Sequence, residues 1–598
     1  MQKIWKLLDP APATFLEEHP ELPNIVANLL YHRGIITQSQ IDEFLDPDYS
    51  QNVHDPYLFK DMEKTVTEIF LAIKNKDKIV VHGDYDADGV SASVILVSTL
   101  KILGCENCEV FLPHRETDGY GLNVNTINKL SENGTKLIIT CDCGVSNATE
   151  IELANSLGMK VIVTDHHAVP EILPPAFSII HPKVPGETYP DKGLAGGGVA
   201  FKVMQGLLKK YHENYVVESG PTLGWEKWLL DMVAIASVAD MVPLLGESRT
   251  LTKYGLIVLN KTKRIGLQKL LLEARLIEED GTTKYDLSAD TIGFQIAPRI
   301  NAAGRMNHAN VAYNLMMTEN PEEATELAHD LDKNNQDRQK VTEDLVKEAV
   351  RQAEIQKDQP ILFILGAGWS TGIVGLIASK IKERYYKPTI VMAENAKPCT
   401  EQSSGTVEEI TGSGRSIPGF DLIGAIQKIP EFFYKFGGHP MACGFTLKNK
   451  EELENFKTAL INIFNDTTAR LDLKPSLAID AEIDLDQVTW ELYDVLDKFK
   501  PFGQANEKPK YIAKELTVAG LEPVGKTAKH LRIMVKHNSH KIRKTIGWNL
   551  CTENNDQGID WGKELKVGDK IDLVFEIEVN QWNGNRELQL TIVDLKKL

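Results

Sequence analysis

The chain has 598 residues, of which 42% are hydrophobic and 25% are charged, and its formal net charge at pH 7 is −18. Because single cores rarely grow beyond about 250–300 residues, this length predicts several globular domains. The acidic balance argues against a protein that coats nucleic acid non-specifically, although it leaves room for a local basic groove. The sequence has no uninterrupted apolar run of about 18 residues, so no membrane-spanning helix is expected.

The start of the chain and its cysteines indicate a cellular compartment. Charged residues follow the N-terminus closely and no apolar segment does, so no signal peptide is expected. Seven scattered cysteines suit a reducing environment, and we expect a cytoplasmic protein. The pairs Cys105-x-x-Cys108 and Cys141-x-Cys143 can be pictured as a zinc site, but small buried side chains explain them more simply.

A proline-interrupted leader, residues 1–60, precedes alternating strands and helices that reach to about residue 245. Such alternation predicts a parallel sheet covered by helices, within a domain that we place at 61–319. In an open sheet of this kind, ligands bind beyond the carboxyl ends of the strands. The expected strands are 78–82, 109–112, 137–141, 161–164 and 178–180.

Polar residues stand at the carboxyl ends of the first four expected strands. In chain order they are His82, Asp84, Asp86 and Asp88, then His114 and Arg115, then Asp142, and then Asp165, His166 and His167. One polar strand end carries little information, but four at the same edge of a sheet point to a single site.

The first of these strand ends is the densest in charge. Three carboxylates and an imidazole within residues 82–88 are unfavourable at neutral pH unless a cation lies among them. Oxygen and imidazole ligands suit Mg, Mn or Zn, and the absence of thiolates here argues against a structural zinc site. A solvated acidic turn is the simpler alternative, but the apolar segments on both sides would bury the ends of such a turn.

An apolar helix from Asp231 to Asp240 ends in a carboxylate. A buried helix normally ends in glycine or a basic residue, because the helix dipole disfavours an anion at that end. A metal ion beside Asp240 would offset that cost.

Residues 320–356 have the composition of one long charged helix. Asn320 can cap it, Pro321 suits its first turn, and Glu322 favours its positive end. We interpret this helix as a connector between domains.

A second, smaller α/β domain is expected over 357–465. It contains two glycine-rich stretches, 412–416 and 437–444, which we interpret as turns. Glycines let backbone amides approach an anion, and Arg415 adds a bidentate phosphate donor. Turn-forming glycine alone would also explain either stretch.

The last domain, 466–598, consists of short β-type runs that predict a small barrel. Its middle is basic, with Lys526, Lys529, Arg532, Lys536, Lys541, Arg543 and Lys544 opposed only by Glu522. In so acidic a chain this reversal indicates an anionic partner, although an ordinary solvated face is the alternative. Trp548 and Trp582 are candidate platforms for stacking bases.

The order of the charged motifs resembles that of the DHH phosphoesterase family. These motifs are His82-x-x-x-Asp86-x-Asp88, Asp142, Asp165-His166-His167 and Asp240. Further stretches resemble the members of this family that degrade single-stranded DNA, namely His114-Arg115-x-x-x-Gly119-Tyr120-Gly121, Arg299 to Arg305, Gly368 to Gly375, Ser413 to Ser416 and Gly437 to His439. One departure lies in Pro501 to Asn506, where those proteins usually carry a glycine in place of Ala505.

The resemblance implies a fold and a metal centre. The fold would combine a parallel-sheet DHH domain, a long connecting helix, a second α/β domain and a barrel similar to an OB fold. Two divalent metal ions, Mn or Mg, would be held by His82, Asp86, Asp88, His166 and Asp240, with Asp142 as the bridge. Asp84, Asp165 and His167 would have supporting or phosphate-facing roles, and the implied catalytic set is Asp84, Asp142 and His167.

The resemblance also implies an activity, which is hydrolysis of single-stranded DNA from its 5′ end to 5′-mononucleotides by metal-activated water. A role in DNA repair and recombination follows from the same likeness. The implied substrate contacts are Arg115, Arg299, Asn301, Arg305, Ser413, Arg415 and His439. Beyond single-stranded DNA, the implied partners are a helicase and a single-strand-binding protein, and we expect a monomer.

Two other functions stay open on the sequence alone. Enzymes with similar metal motifs act on cyclic dinucleotides or short oligonucleotides, but they usually lack the barrel. A catalytically silent DNA-binding or scaffold protein is the third alternative, although the complete set of ligands argues against it.

Overall fold

A computed structural model describes residues 3–115, 117–214, 220–398, 406–537, 541–553, 555, 557–582 and 585–598, and excludes the side chains of 214, 396–398, 406–408, 581, 582 and 585. The chain divides into two compact units. The first, which we call the parallel-sheet unit, comprises Arg33–Arg338 and Asp497–Lys508. The second, the barrel unit, comprises Met1–His32, Gln339–Leu496 and Pro509–Leu598. The boundaries of the five predicted segments stay predictions.

The parallel-sheet unit contains a five-stranded sheet in which all neighbouring strands are parallel, as the alternation of strands and helices predicted. In spatial order the strands are Cys108–Phe111, Lys78–His82, Thr135–Cys141, Lys160–Thr164 and Ser178–Ile180. The central strands are buried on both faces, which explains their nearly continuous apolar sequences. Their carboxyl ends meet at one edge of the sheet.

Helices surround this sheet, and two of them are buried along nearly their whole length. These are Ala87–Ile102 and Leu230–Ala239, whose sequences are apolar on every side. The other helices are Gln38–Leu45, Tyr49–Asn52, Met62–Asn75, Val124–Glu132, Ala148–Ser156, Gly196–Asn214, Gly246–Leu259, Ile265–Glu273, Ala289–Thr291, Ala297–Met306 and Asn310–Met317. Short 3₁₀ turns lie at Pro56–Leu58 and Trp225–Leu229, and one π-helical turn lies at Ile292–Ile296.

The predicted connecting helix is confirmed as Pro321–Ile355. The Asn320 side chain caps it, because its Oδ1 accepts a hydrogen bond from the Glu322 N–H at 2.9 Å. The boundary between the two units falls within this helix. Among the described residues, none of the helices combines the length and the apolar character that a membrane crossing requires.

The barrel unit contains a mixed five-stranded sheet. Its strands, in spatial order, are Phe433–His439, Ala442–Leu447, Thr406–Arg415, Thr389–Pro398 and Leu362–Ala367. The helices Thr371–Tyr385, Leu422–Gln427 and Leu453–Thr468 accompany it, with 3₁₀ turns at Pro430–Phe432 and Lys450–Glu452. The expectation that both glycine-rich stretches are turns is wrong for most of their length, since they lie in antiparallel strands that pair side by side. In these strands the glycines do not bend the chain; their missing side chains leave space on the face of the sheet for neighbouring groups.

The C-terminal part closes into a barrel, which confirms that prediction. Its five strands are Tyr511–Val524, His530–Lys536, Ile542–Gly547, Asn585–Lys597 and Lys570–Trp582. The barrel closes because the last of these pairs back with Tyr511–Val524, for example Tyr511 opposite Phe575. Smaller elements are the strand Ala481–Glu482, the 3₁₀ turn Leu485–Gln487 and the helices Trp490–Asp497 and Trp561–Glu564.

The N-terminal leader belongs to both units. Its strand, Ile4–Leu7, pairs in parallel with Ser476–Ile479 in the barrel unit, and the helices Ala13–Glu18 and Asn24–His32 follow it. From Arg33 onward the leader is part of the parallel-sheet unit. Strand Ile4–Leu7 therefore pairs with a strand near residue 476, and no local sequence pattern predicts this pairing.

Candidate metal centre

The turn after strand Lys78–His82 is built to hold carboxylates inward. Asp86 caps the following helix, since its Oδ1 accepts hydrogen bonds from the N–H groups of Asp88 at 2.9 Å and Gly89 at 3.1 Å. Asn301 Oδ1 accepts from the Ala87 N–H at 2.7 Å and so holds the same turn. A Cβ at Gly89 would lie 2.6 Å from the backbone oxygen of Asp84, so only glycine allows this tight packing.

Asp88 is buried and is held by the start of a second helix. Its Oδ2 accepts from the Gly196 N–H at 2.8 Å and its Oδ1 from the Gly197 N–H at 2.6 Å. Both amides belong to the first turn of Gly196–Asn214, where the helix dipole favours an anion. A Cβ at Gly196 would lie 2.6 Å from the Cβ of Asp142, so the glycines bring the helix close to both carboxylates.

Asp142 follows strand Thr135–Cys141 in a left-handed conformation, with φ of +61°. This conformation is unfavourable for a non-glycine residue and is maintained by surrounding contacts. The Asp142 N–H donates to the carbonyl of Thr164 at 3.1 Å, and the hydroxyl of Tyr120 donates to the Asp142 carbonyl at 3.1 Å. The strained backbone turns the carboxylate toward the centre of the site.

His166 lies among three carboxylates. Its Nε2 is 3.1 Å from Asp142 Oδ1, 3.6 Å from Asp88 Oδ2 and 3.6 Å from Asp240 Oδ2. Two ligands that each lie roughly 2.0–2.2 Å from one ion are separated by distances of this order. The spacing of these four side chains would allow them to hold one metal ion.

Among the residues that the structure describes, three groups of aspartates and histidines have carboxylate or imidazole ligand atoms that lie within 4.8 Å of one another. The groups are Asp84 with Asp86 and Asp142, Asp88 with His166 and Asp240, and Asp142 with His166 and His167. The first two groups divide the site into two neighbouring centres, and Asp142, which lies 3.1 Å from His166, joins them. The geometry thus matches two ions that share Asp142.

His82 and Asp84 differ from the expectation based on resemblance. His82 lies in none of the three groups, and its Nδ1 is 3.8 Å from the thiol of Cys143. Asp84, expected in a supporting role, joins the first group. Within the described chain, the buried atoms His82 Nε2 and Asp84 Oδ1 have no hydrogen-bond partner. Burying a polar atom without a partner costs folding free energy unless a ligand binds it. The imidazole nitrogen and the carboxylate oxygen are both suitable ligands for a divalent cation.

The electrostatics of the centre also call for a cation. Burial, and then the charge on Asp86, raises the pKa of Asp84 to about 8. Burial and the charge on Asp240 raise the pKa of Asp88, and burial and the charge on Asp88 raise that of Asp142. Burial and the charge on Asp86 raise the pKa of Asp240 to about 6. These carboxylates repel one another, and a divalent ion would remove the repulsion.

Asp165 has a different task from the other carboxylates. Its Oδ1 accepts from the N–H groups of His166 and His167 and from His167 Nδ1 at 2.8 Å, while its Oδ2 accepts from the Val145 N–H. Burial opposes the charge on Asp165, but the hydrogen bond and charge of His167 hold its pKa below the usual range. Its oxygens are thus engaged by protein donors, and it orients the two histidines.

His167 is the cationic counterpart of Asp165. Burial disfavours its charged form, but the hydrogen bond and charge of Asp165 outweigh burial and raise the pKa of His167 to about 9. By contrast, burial and the neighbouring charge on His167 lower the pKa of His166 to about 3. At neutral pH the pair therefore offers one neutral imidazole, as a metal ligand requires, and one imidazolium.

Of the predicted substrate arginines, Arg115 and Arg305 lie beside the same turn. The guanidinium of Arg115 is 3.9 Å from the centroid of the Tyr85 ring, and its buried Nε has no hydrogen-bond partner among the described residues. Burial, and then the charges on Arg115 and Arg338, lower the pKa of Arg305 to about 10. Cations that repel one another at a buried site leave a favourable place for an anion.

Arg299 and Asn301 have protein partners. Arg299 Nε donates to Asp332 at 2.8 Å and its Nη1 to the Gln295 carbonyl at 2.7 Å. Asn301 holds the Ala87 amide, as described above. Their roles as substrate contacts stay predictions, while the structure gives Asn301 a part in positioning the turn after strand Lys78–His82.

The remaining predicted contacts lie in the barrel unit. Arg415 Nη1 donates to the Ser413 hydroxyl at 2.9 Å, and His439 is exposed near the end of its strand. Arg415 lies opposite Ala442, which lies opposite His439, so these residues share one face of the sheet. A Cβ at Gly375 would lie 2.8 Å from Arg415 Nη2, so this glycine keeps space beside the guanidinium.

The sequence interpretation missed three residues of the centre. Gly196 and Gly197 carry the amides that hold Asp88, and Lys183 Nζ donates to the His166 carbonyl at 2.6 Å. The signals were present, since Gly196 and Gly197 begin a run of glycines before an apolar helix. Lys183 follows the fifth strand as the other polar residues follow the first four.

Three family models match consecutive parts of the chain. The DHH family N-terminal domain matches residues 78–237, the DHHA1 domain matches 358–466, and the RecJ OB domain matches 479–594. Together with the parallel sheet and the carboxylates at its edge, the first match defines a DHH domain.

Curated relatives extend this likeness over the whole chain. The single-stranded-DNA-specific exonuclease RecJ of Bacillus subtilis (strain 168) is 34% identical over 583 residues, which are 97% of this chain and 69% of that protein. The protein of that name from Escherichia coli (strain K12) is 31% identical over 588 residues, 96% of each. The chain belongs to the RecJ family.

A solved structure supports the fold. RecJ in complex with Mn²⁺ from Thermus thermophilus has a TM-score of 0.80 to this chain, with 24% sequence identity. The comparison covers 100% of this chain and 80% of that one. At this identity the likeness establishes the architecture.

Proposed function

We propose that this chain is a metal-dependent exonuclease that hydrolyses single-stranded DNA from its 5′ end and releases 5′-mononucleotides. The observation that carries this proposal is the pair of ligand groups joined by Asp142 at the carboxyl edge of a parallel sheet. The named relatives, which are single-stranded-DNA-specific exonucleases, support the choice of substrate.

The proposed ligands follow from the distances within the site. Asp84, Asp86 and Asp142 hold one divalent ion, Mn or Mg, and Asp88, Asp142, His166 and Asp240 hold the other. His82 stays a predicted ligand on the strength of its unpartnered Nε2. When bound, two such ions lower the pKa of a water molecule and neutralise charge on the scissile phosphate.

Protein groups around the ions position the substrate. His167, which is protonated at neutral pH and fixed by Asp165, places a positive charge beside the phosphate. Arg115 and Arg305 bind a neighbouring phosphate, because their guanidinium groups lie by the turn that carries Asp84 and Asp86. The reaction needs no protein nucleophile, so no covalent enzyme intermediate forms.

In the barrel unit, Ser413 and Arg415 bind the terminal 5′-phosphate. The support for this role is a guanidinium that hydrogen-bonds a hydroxyl on a sheet face with glycine neighbours. An anion could approach this face closely, since Gly444 lies opposite Ser413 and Gly375 leaves space beside Arg415.

The barrel itself binds the unpaired strand. In its antiparallel hairpin Met534 lies opposite Lys544, and Arg532 and Lys536 lie two positions from Met534, so the three basic residues share one face. Trp548 is 55% exposed and packs edge-on to His530 at a centroid distance of 4.9 Å. A row of cations that ends in an exposed aromatic ring suits a single strand. The Trp582 side chain lies outside the described residues.

The remaining parts of the proposal concern the cell. They are a monomeric protein in the cytoplasm, a helicase and a single-strand-binding protein as partners, and a role in DNA repair and recombination. Light scattering tests the monomer, and co-purification of the tagged full chain from cells with damaged DNA tests the partners.

One experiment tests the activity. The full chain is incubated with single- and double-stranded DNA labelled at either end, in Mn²⁺, Mg²⁺ or EDTA. We expect metal-dependent release of 5′-labelled mononucleotides from the single strand, and none from a blunt duplex. Asp55→Asn is the matched control, because Asp55 forms a surface ion pair with Lys209 and belongs to none of the ligand groups. Cleavage of dinucleotides with no attack on long strands would favour the small-substrate alternative instead.

A further inference from the structure

The loop that carries the chain away from Asp240 is held by a distant segment. After helix Leu230–Ala239, the backbone turns at Met241 with φ of +57° and reaches Leu244, which is 1% exposed. The Leu244 N–H donates to the carbonyl of Gln504 at 2.9 Å. Gln504 belongs to Asp497–Lys508, which lies in the parallel-sheet unit although the residues on either side of it belong to the barrel unit.

Gln504 lies in a tight turn that fits against Leu244. Gly503 and Asn506 close the turn through hydrogen bonds of 2.9 and 3.1 Å between their backbones. A Cβ at Gly503 would lie 2.7 Å from Leu244 Cδ1, so the turn reaches the leucine without a gap. Ala505 has φ of +60°, a left-handed conformation that favours glycine.

Buried polar contacts fix this turn to the parallel-sheet unit. The buried Asn506 side chain donates to the carbonyls of Phe499 and Pro501 at 2.8 and 2.9 Å, and accepts from Arg33 Nε at 2.8 Å. Arg249 Nη2 donates to the carbonyls of Lys498 and Lys500 at 2.7 and 2.8 Å. These buried hydrogen bonds hold the segment Asp497–Lys508 in a fixed position within the parallel-sheet unit.

Asp240 needs such support. It lies at the carboxyl end of a helix, where the dipole repels an anion, and the nearby charge on Asp86 adds to that repulsion. The Met241 and Val242 N–H groups donate to the carbonyls of Val238 and Ser237 and so close the helix end, but an outward movement of this whole turn would carry the carboxylate away from His166. A fixed loop immediately after it restricts that movement and so lowers the cost of ordering Asp240 around an ion.

We infer that the turn Gly503–Asn506 is a positioning element for Asp240, and that it tunes the affinity of the ion that Asp88, His166 and Asp240 hold. The inference rests on the proposed function in one respect, the role of Asp240 as a metal ligand. By this inference, a segment whose sequence neighbours belong to the barrel unit affects the binding of one of the two ions through the loop after Asp240. Gly503 and Asn506 are positioning residues, since they belong to none of the ligand groups and their turn contacts Leu244 in the loop after Asp240.

The test is Mn²⁺ binding to the full-length, EDTA-treated protein, measured by calorimetry and by electron paramagnetic resonance. Gly503→Ala should weaken one of two Mn²⁺ sites by about 10-fold, the scale seen when groups behind a ligand are disturbed, and leave the other unchanged. Leu244→Ala removes the atoms that the new methyl would meet, so the double variant should recover most of the affinity. Ala505→Gly is the control within the same turn, and it should bind both ions as the wild type does.

A second measurement is independent of metal. Amide hydrogen exchange at Leu244 in the metal-free protein should accelerate in Gly503→Ala and return toward the wild-type rate in the double variant. If Gly503→Ala does not fold, Arg33→Ala replaces it, because it removes the hydrogen bond to Asn506 from the opposite side, and the same single-site loss is expected. A folded variant that keeps both affinities and the slow exchange would refute the inference. Failure of the wild type to cleave DNA while binding two Mn²⁺ ions would refute the proposed function alone.

Discussion

Replacing Asp84 by asparagine should stabilise the metal-free protein at high pH and weaken its response to metal. Burial and the charge on Asp86 raise the pKa of Asp84 to about 8. Because the folded-state pKa is raised, the stability that protonated Asp84 contributes is complete below about pH 4 and is lost as the pH rises through about 8. Asparagine carries no charge and avoids this loss.

The structure sets the size of the effect. A rise of about four pKa units corresponds to roughly 5 kcal/mol, since each unit is worth about 1.4 kcal/mol. The asparagine amide brings donors into a buried place, which costs about 1–3 kcal/mol. A net gain of roughly 2–4 kcal/mol at pH 9 remains, or about 4–8 °C in Tm for a domain of this size. At pH 5 the gain disappears and the variant is no more stable than the wild type.

The assay is thermal unfolding of the EDTA-treated full chain at pH 5 and pH 9, repeated with Mn²⁺. Mn²⁺ should raise the Tm of the wild type more than that of Asp84→Asn, so the order of the two proteins reverses. Asp165→Asn is the matched buried control, because hydrogen bonds hold the pKa of Asp165 low and its loss should destabilise the protein at pH 9. An Asp84→Asn protein that is less stable than the wild type at pH 9, without metal, would contradict the reasoning.

Three further predictions concern activity. Asp142→Ala should fold normally but lower kcat more than 10-fold, which corresponds to at least about 1.4 kcal/mol of activation free energy. If the variant keeps more than a tenth of the wild-type kcat in Mn²⁺, Asp142 is not a ligand that both ions share. Arg415→Ala should reduce the preference for 5′-phosphorylated over 5′-hydroxyl strands and leave the Mn²⁺ affinity unchanged, whereas the control Arg384→Ala should keep the preference. If a competition digest shows an unaltered preference in Arg415→Ala, Arg415 does not bind the 5′-phosphate. Trp548→Ala should raise KM for long strands several-fold but not for a trinucleotide, because base stacking is worth about 1–3 kcal/mol. If the variant and the wild type have equal KM values for long strands, this surface of the barrel does not bind DNA.

The strands around the metal centre could be predicted because their signals are local. Each of the five is an apolar run that ends in polar residues, and the expected and observed bounds differ by at most two residues at either end. Asp142 and Asp240 could be singled out for the same reason, since each stands where a buried element ends. What local spacing cannot give is the direction of each side chain. The choice between His82 and Asp84 as a ligand depends on which of them faces Asp86 and Asp142.

Other parts of the site depend on contacts between distant residues. The ion pair of Arg299 with Asp332 and the hydrogen bond of Asn301 to Ala87 give structural tasks to residues that motifs alone assign to substrate. The pairing of Ile4–Leu7 with Ser476–Ile479 joins segments that lie far apart in the chain. No period of two or of 3.6 residues encodes such a pairing, because the partner strand is chosen by the whole fold.

Glycines show where elements of the fold approach closely enough to hold the carboxylates of the centre. A glycine whose Cβ would overlap the backbone or the side chain of another residue marks a place where two parts of the chain must approach. Gly196 has this relation to Asp142, Gly89 to Asp84 and Gly503 to Leu244. In the first two cases the neighbour is a proposed ligand, and in the third it is the loop behind Asp240. Close packing thus holds mutually repelling carboxylates in place before any ion binds, and the cost of that repulsion becomes affinity for a cation when the ion enters.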